Sequence, residues 1–112
     1  MNNKVILVSS NQLGKGSEEL GEGILETFFT ILKQREDLPA AVFFMNSGVL
    51  TLTKDSLTSV HLKELEDNGI PVLACKTCVE YYNVAGELTA GKISSMAHFI
   101  DLAAQYEVIT IS

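Results

Sequence analysis

Residues 70–82, IPVLACKTCVEYY, carry the reading that decides the fold. Ile70-Pro-Val-Leu-Ala-Cys75 is a short apolar run of strand-forming residues, and a proline this early is tolerated at a strand start. Lys76 or Thr77 then opens a short helix through Tyr82. A strand that passes straight into a helix is the building unit of a parallel sheet, because parallel neighbours need a crossover connection. The same stretch holds both cysteines of the chain, Cys75 and Cys78. By spacing alone they could be a redox pair, half of a metal site, a sulfur-carrying thiol, or two core residues.

The pattern repeats on either side. Lys4-Val-Ile-Leu-Val-Ser9 reads as a buried strand, followed by the turn-rich Ser10–Gly16. Leu20, Ile24, Leu25, Phe28, Phe29 and Leu32 recur at helical spacing, with Ser17 as cap and Glu18 and Glu19 suited to the positive end of the dipole. Pro39 breaks the helix before a second apolar run, Ala40–Asn46, which ends in the turn Asn46-Ser47-Gly48. Leu57, Val60, Leu62 and Leu65 fit another helix, closed by Asn68-Gly69. Beyond the cysteines, Lys92-Ile93-Ser94 is a further strand. A helix carrying Met96, Phe99, Ile100 and Ala103 follows, then a last strand at Glu107–Ile111.

Five strands alternating with four helices predict a three-layer α/β/α domain, with a mainly parallel five-stranded sheet and flavodoxin-like winding. The expectation is a single domain over residues 1–112. In open sheets of this kind, chemistry gathers beyond the carboxyl ends of the strands. Those ends are Ser9–Gly16, Asn46–Gly48, Cys75–Cys78 and Ser94–Met96, so both cysteines fall on that edge.

Composition narrows the function classes. The chain has 112 residues, 46% hydrophobic and 20% charged, which is globular composition with no membrane-length apolar run. Its net charge of −6 repels a phosphate backbone or an anionic membrane, so no nucleic-acid or membrane partner is expected. The N-terminus lacks the pattern of a secretory signal, and cytoplasmic location is the default expectation. In a reducing compartment a close cysteine pair is more often catalytic or metal-binding than structural.

Gly14-Lys15-Gly16-Ser17 follows a strand and opens a helix, but the residue order is not that of a phosphate loop, and Glu18 and Glu19 oppose an anion there. His61 and His98 sit on separate predicted helices, without the paired spacing of a zinc site, so no metal is expected. Cys75, ending a buried strand, reads equally well as a small hydrophobe or as an accessory thiol. Cys78 is the stronger candidate. If Thr77 caps the helix, unpaired N–H groups, the helix dipole and Lys76 all favour its thiolate, and a lowered pKa makes a nucleophile. The first cysteine lies on the strand rather than at a helix start, which places dithiol exchange second to sulfur transfer. Of the paired Tyr81 and Tyr82, one is expected to face inward and the other toward the site or a neighbouring subunit.

CKTCVEYYNVAGELTAGKISSM (75–96) resembles the Cys-x-Thr-Cys-x-x-Tyr-Tyr segment, with its following Gly and Ser-Met turn, of the DsrE/DsrF-like sulfurtransferase family. It is most similar there to the C-terminal DsrE-like domain of YedF-type selenium metabolism proteins. GKGSEELGEGILETFF (14–29) resembles the same family's glycine-bearing helix start, and FFMNSGVLTLTKDS (43–56) its strand ending in Asn-x-Gly-Val.

The resemblance implies a small domain that self-associates and passes sulfur as a cysteine persulfide. Cys78 matches the family's second motif cysteine and Cys75 its first, with Lys76 and Thr77 between them. Asn46 and Gly48 match the adjoining loop, and Tyr81 and Ser95 are expected to line the site. No cofactor is implied, because the transferred atom rides on the thiol. YedF proteins usually carry a separate TusA-like domain, so the implied donor and acceptor are other proteins, TusA-like ones among them, or a small persulfide. Two other readings stay open: a dithiol oxidoreductase using Cys75 and Cys78, and a non-catalytic binding or scaffold domain.

Overall fold

The alternation seen in the sequence is realised in a computed structural model that describes residues 1–112. In chain order the elements are β1 (Lys4–Val8), α1 (Glu18–Leu32), β2 (Ala41–Phe44), a 3-10 segment (Asn46–Leu52) and α2 (Ser59–Asp67). They continue with β3 (Val72–Cys75), α3 (Lys76–Tyr81), a short 3-10 turn (Ala85–Glu87), β4 (Lys92–Ser94), α4 (Met96–Gln105) and β5 (Glu107–Ile111). The strands form one sheet in the order β4-β3-β2-β1-β5. Every pairing is parallel.

From β1 to β4 the chain steps steadily toward one edge. The last crossover then returns past β1 to place β5 at the other edge. Right-handed crossovers put α1, α2 and α3 on one face and α4 on the opposite face. Two adjacent residues show this directly. Phe44 points to the first face and its ring lies 6.1 Å from that of Phe29 on α1. Phe43 points the other way, 5.0 Å from Phe99 on α4. The sheet is doubly wound, but its reversal falls elsewhere than in the flavodoxin order 2-1-3-4-5, where it follows the second strand. Here it follows the fourth.

The larger core lies on the first face, where Ile6, Val8, Val42, Phe44, Val72 and Ala74 meet Leu25, Phe29, Leu62 and Leu65. Burying side chains of this size stabilises by about 1.5–3 kcal/mol each. The second face has a smaller cluster of Phe43, Leu73 and Cys75, with Phe99 and Leu102 against it. That asymmetry leaves α4 without one fully buried residue.

Helix ends follow the sequence signals in part. Ser17 caps α1, its Oγ accepting from the Leu20 N–H at 3.2 Å. Gly69 takes φ +88° just past α2, where Asn68 is the C-cap. Leu62 and Leu65 are buried as the spacing predicts, but Leu57 and Val60 are exposed, and Leu57 lies ahead of the helix. Leu20 and Ile24 on α1 are likewise exposed, because the buried stripe runs through Gly21, Leu25, Phe29 and Leu32.

Candidate functional site

Three strand ends converge around Cys78. β2 passes without a loop into the 3-10 segment, and its first residue, Asn46, adopts a left-handed φ of +51°. Asparagine is among the few side-chain-bearing residues that tolerate this conformation. The turn aims the Asn46 N–H at the Cys78 Sγ, 3.0 Å away. The Asn46 Oδ1 accepts from the Ser47 N–H at 2.8 Å and from the Tyr82 hydroxyl at 3.2 Å. Gly48 holds the segment against the end of β1: a Cβ there would lie 2.3 Å from the Val8 carbonyl oxygen. That same oxygen accepts from the Met45 N–H at 3.0 Å.

Cys75 is both the last residue of β3 and the N-cap of α3. Only 5% exposed, it packs with Phe43 and Leu73 on the α4 face of the sheet. Cys78, half-buried, is the third residue of α3 and packs against the same cluster. Both thiols are free. In register beside Cys75 on β4 stands Ser94, whose Oγ lies 2.7 Å from the His98 Nδ1.

The acidity expected of Cys78 is overturned. Burial pushes its thiol above the ordinary value, and the neighbouring Cys75 thiol adds to that shift. Only the Asn46 N–H pulls it down. The helix start cannot compensate: α3 has six residues, too few for a strong dipole. Thr77 is not its cap, and Lys76, two positions before Cys78, leaves a short helix on a different side.

The remaining site residues are sorted by the same geometry. Tyr82, not Tyr81, joins the site. Tyr81 is 81% exposed, with its ring 5.1 Å from that of Tyr82, edge to face. Val79 and Val84 are buried within the chain, so of the four apolar and aromatic residues Val79, Tyr81, Tyr82 and Val84 that follow Cys78 only Tyr81 is left uncovered. Ser95 is an N-cap, its Oγ accepting from the His98 N–H at 3.1 Å. His61 lies between α1 and α2 beside Thr30 and Glu26, at 3.2 and 3.3 Å. No three His, Cys, Asp or Glu side chains gather closely enough to hold a metal ion.

Sequence reasoning missed the role of Tyr82. The Tyr-Tyr pair signalled that one ring would reach the site, but which one depends on where a six-residue helix starts.

An all-parallel, doubly wound sheet with a half-buried thiol at the end of its third strand defines a class of small α/β proteins. The chain belongs to the DsrE/DsrF-like family, whose model matches residues 5–111. Among solved structures, the YchN protein from E. coli is similar with a TM-score of 0.72 and 20% identity, over 99% of this chain and 100% of that one. BT1422 from Bacteroides thetaiotaomicron, a conserved protein of unknown function, gives 0.67 and 17%, over 98% and 96%. MTH1491 from Methanobacterium thermoautotrophicum, also of unknown function, gives 0.64 and 17%, over 96% of each chain. No curated protein matches the chain. No helix is long and apolar enough to cross a membrane.

Proposed function

We propose that the protein is a sulfur-relay carrier, one DsrE-like domain whose Cys78 accepts sulfane sulfur as a persulfide and hands it to a partner thiol. The observation that carries the reading is the Asn46 N–H directed at the Cys78 Sγ from 3.0 Å. A backbone donor held at a sulfur steadies negative charge as it forms there, without supplying a proton of its own. The family is associated with sulfur relay in general, and the closer likeness to YedF-type domains rests on the sequence motifs. A raised thiol pKa suits a carrier that must be loaded by a reactive donor rather than attack indiscriminately.

The work divides among few residues. Cys78 is the nucleophile and carrier. Asn46 supplies the donor, Tyr82 fixes the Asn46 side chain, and Gly48 allows the segment to seat on β1. The donor is a persulfide-bearing protein of the TusA-like kind or a small persulfide, and the acceptor is a thiol protein. Self-association is part of the proposal. On α4, Met96 and Ile100 are 44% and 60% exposed, and on α1 Leu20, Ile24 and Ile31 are also open. Burying such patches is a common reason for small domains to associate.

A second reading, dithiol oxidoreductase, is favoured by the position of Cys75 as N-cap one turn before Cys78. Transfer of isotopically labelled sulfur separates the two. A carrier loaded at Cys78 delivers label to an acceptor thiol protein and does so as Cys75→Ser. An oxidoreductase delivers none and loses its activity in that variant.

A further inference from the structure

We propose that Cys75 gives the carrier a second activity, discharging an undelivered persulfide on Cys78 as hydrogen sulfide and leaving a Cys75–Cys78 disulfide. This rests on the carrier reading. Its basis is the placement of the two thiols. Cys75 caps α3 and Cys78 is its third residue, and both sit on the cluster of Phe43 and Leu73. Residues one helical turn apart have Cβ atoms about 5–6 Å apart. A disulfide needs roughly 3.5–4.5 Å, a closure that a short first turn can absorb. The Cys75 thiol is also among the groups that push the Cys78 thiol upward.

The packing also selects which sulfur is attacked. A thiol has two targets on a persulfide, the outer sulfur and the inner one. Attack on the outer atom would move the extra sulfur onto Cys75, which is 5% exposed in the cluster with Phe43 and Leu73, against which Met45 and Phe99 pack, so the added atom would have to push packed side chains aside. Attack on the Cys78 Sγ requires no added volume. Cys75 gives up its proton, its Sγ bonds to the Cys78 Sγ, and the bond to the outer sulfur breaks. The electron pair leaves on hydrosulfide, which takes up the proton as hydrogen sulfide. The outer sulfur is reduced and the Cys75 sulfur is oxidised, while Cys78 keeps the oxidation level it had as a persulfide; an external dithiol returns the resulting disulfide to the starting state. The Asn46 N–H stays on the Cys78 Sγ throughout. Because Cys75 is only 5% exposed and its side chain must close on the Cys78 Sγ from about one helical turn away, discharge is slow enough for a docked acceptor to win.

The test loads the full chain with glutathione persulfide, removes excess donor, and follows intact mass while trapping released sulfide with a bimane. The wild type is expected to lose its added sulfur, release sulfide one for one, and end two hydrogens lighter than the reduced protein. Cys75→Ala is expected to hold its added sulfur at least about tenfold longer. As a check independent of that variant's folding, mild oxidation of the unloaded wild type must give the intramolecular disulfide. Equal lifetimes in the two proteins, sulfide without the disulfide, or a folded wild type that cannot form the disulfide would each overturn the inference while leaving the carrier role standing. Failure of both proteins to take up sulfur would remove the carrier role and this activity with it.

Discussion

Replacing Gly48 by alanine puts a methyl group where the end of β1 already stands. The added Cβ would lie 2.3 Å from the Val8 carbonyl oxygen, 3.0 Å from its carbon and 3.4 Å from the Ser10 nitrogen. All three are backbone atoms of a central strand or its continuation, so no flexible side chain can give way. Overpacking of this kind costs roughly 1–3 kcal/mol. For a chain of this size that corresponds to a fall in Tm of about 4–12 °C. The displacement also moves the 3-10 segment away from β1 and with it the Asn46 N–H, so sulfur uptake by Cys78 should slow even in the folded fraction. Gly23→Ala is the matched control. Nothing lies within 4 Å of its Cβ, and alanine in a helix interior should stabilise by about 0.4–1 kcal/mol. Thermal melts and timed sulfur loading of both variants make the comparison. A Gly48→Ala protein as stable and as quickly loaded as the wild type would refute the close-approach argument.

The pH dependence of Cys78 follows from its raised pKa: its alkylation rate should still be climbing at a pH where an ordinary cysteine, half-ionised at about pH 8.5, has levelled off, as timed iodoacetamide labelling would show. The native state holds this proton longer than the unfolded chain, so its contribution to stability is fully present below about pH 8.5 and is lost as pH rises toward the folded value; denaturant midpoints measure this. Tyr82→Phe removes the hydrogen bond to Asn46 and should slow sulfur loading severalfold with a stability change of about 1 kcal/mol or less, whereas Tyr81→Phe should change neither. Ile100→Asp places a charge on the open flank of α4 and should shift light scattering toward monomer with little change in the melt, because no partner within the chain is lost.

Much of the fold was legible because each strand announced itself as an apolar run of β-branched or aromatic residues, ending in a turn signal or a helix start. Even β5, with the weakest pattern, lies at Glu107–Ile111 as read. Strand order was not legible. Helical spacing says that a crossover exists but not how far it reaches, and only the last one jumps across the sheet. The cysteine edge was readable for the same reason as the strands. The acidity of Cys78 was not, because it depends on how deeply three packed elements bury one sulfur and on a single N–H turned by the left-handed Asn46. The burial of Val79 and Val84 was not legible either, because nothing in the short α3 segment reveals that the core passes beneath it.

The central claim is that Cys78 carries sulfur. Intact-mass analysis after incubation with glutathione persulfide tests it most directly. The account predicts one added sulfur atom, mapped by peptide mass to Cys78, absent from Cys78→Ser and still acquired by Cys75→Ser. No added sulfur on folded Cys75→Ser, a folded wild type with neither added sulfur nor the Cys75–Cys78 disulfide, or uptake that survives in Cys78→Ser, would contradict it.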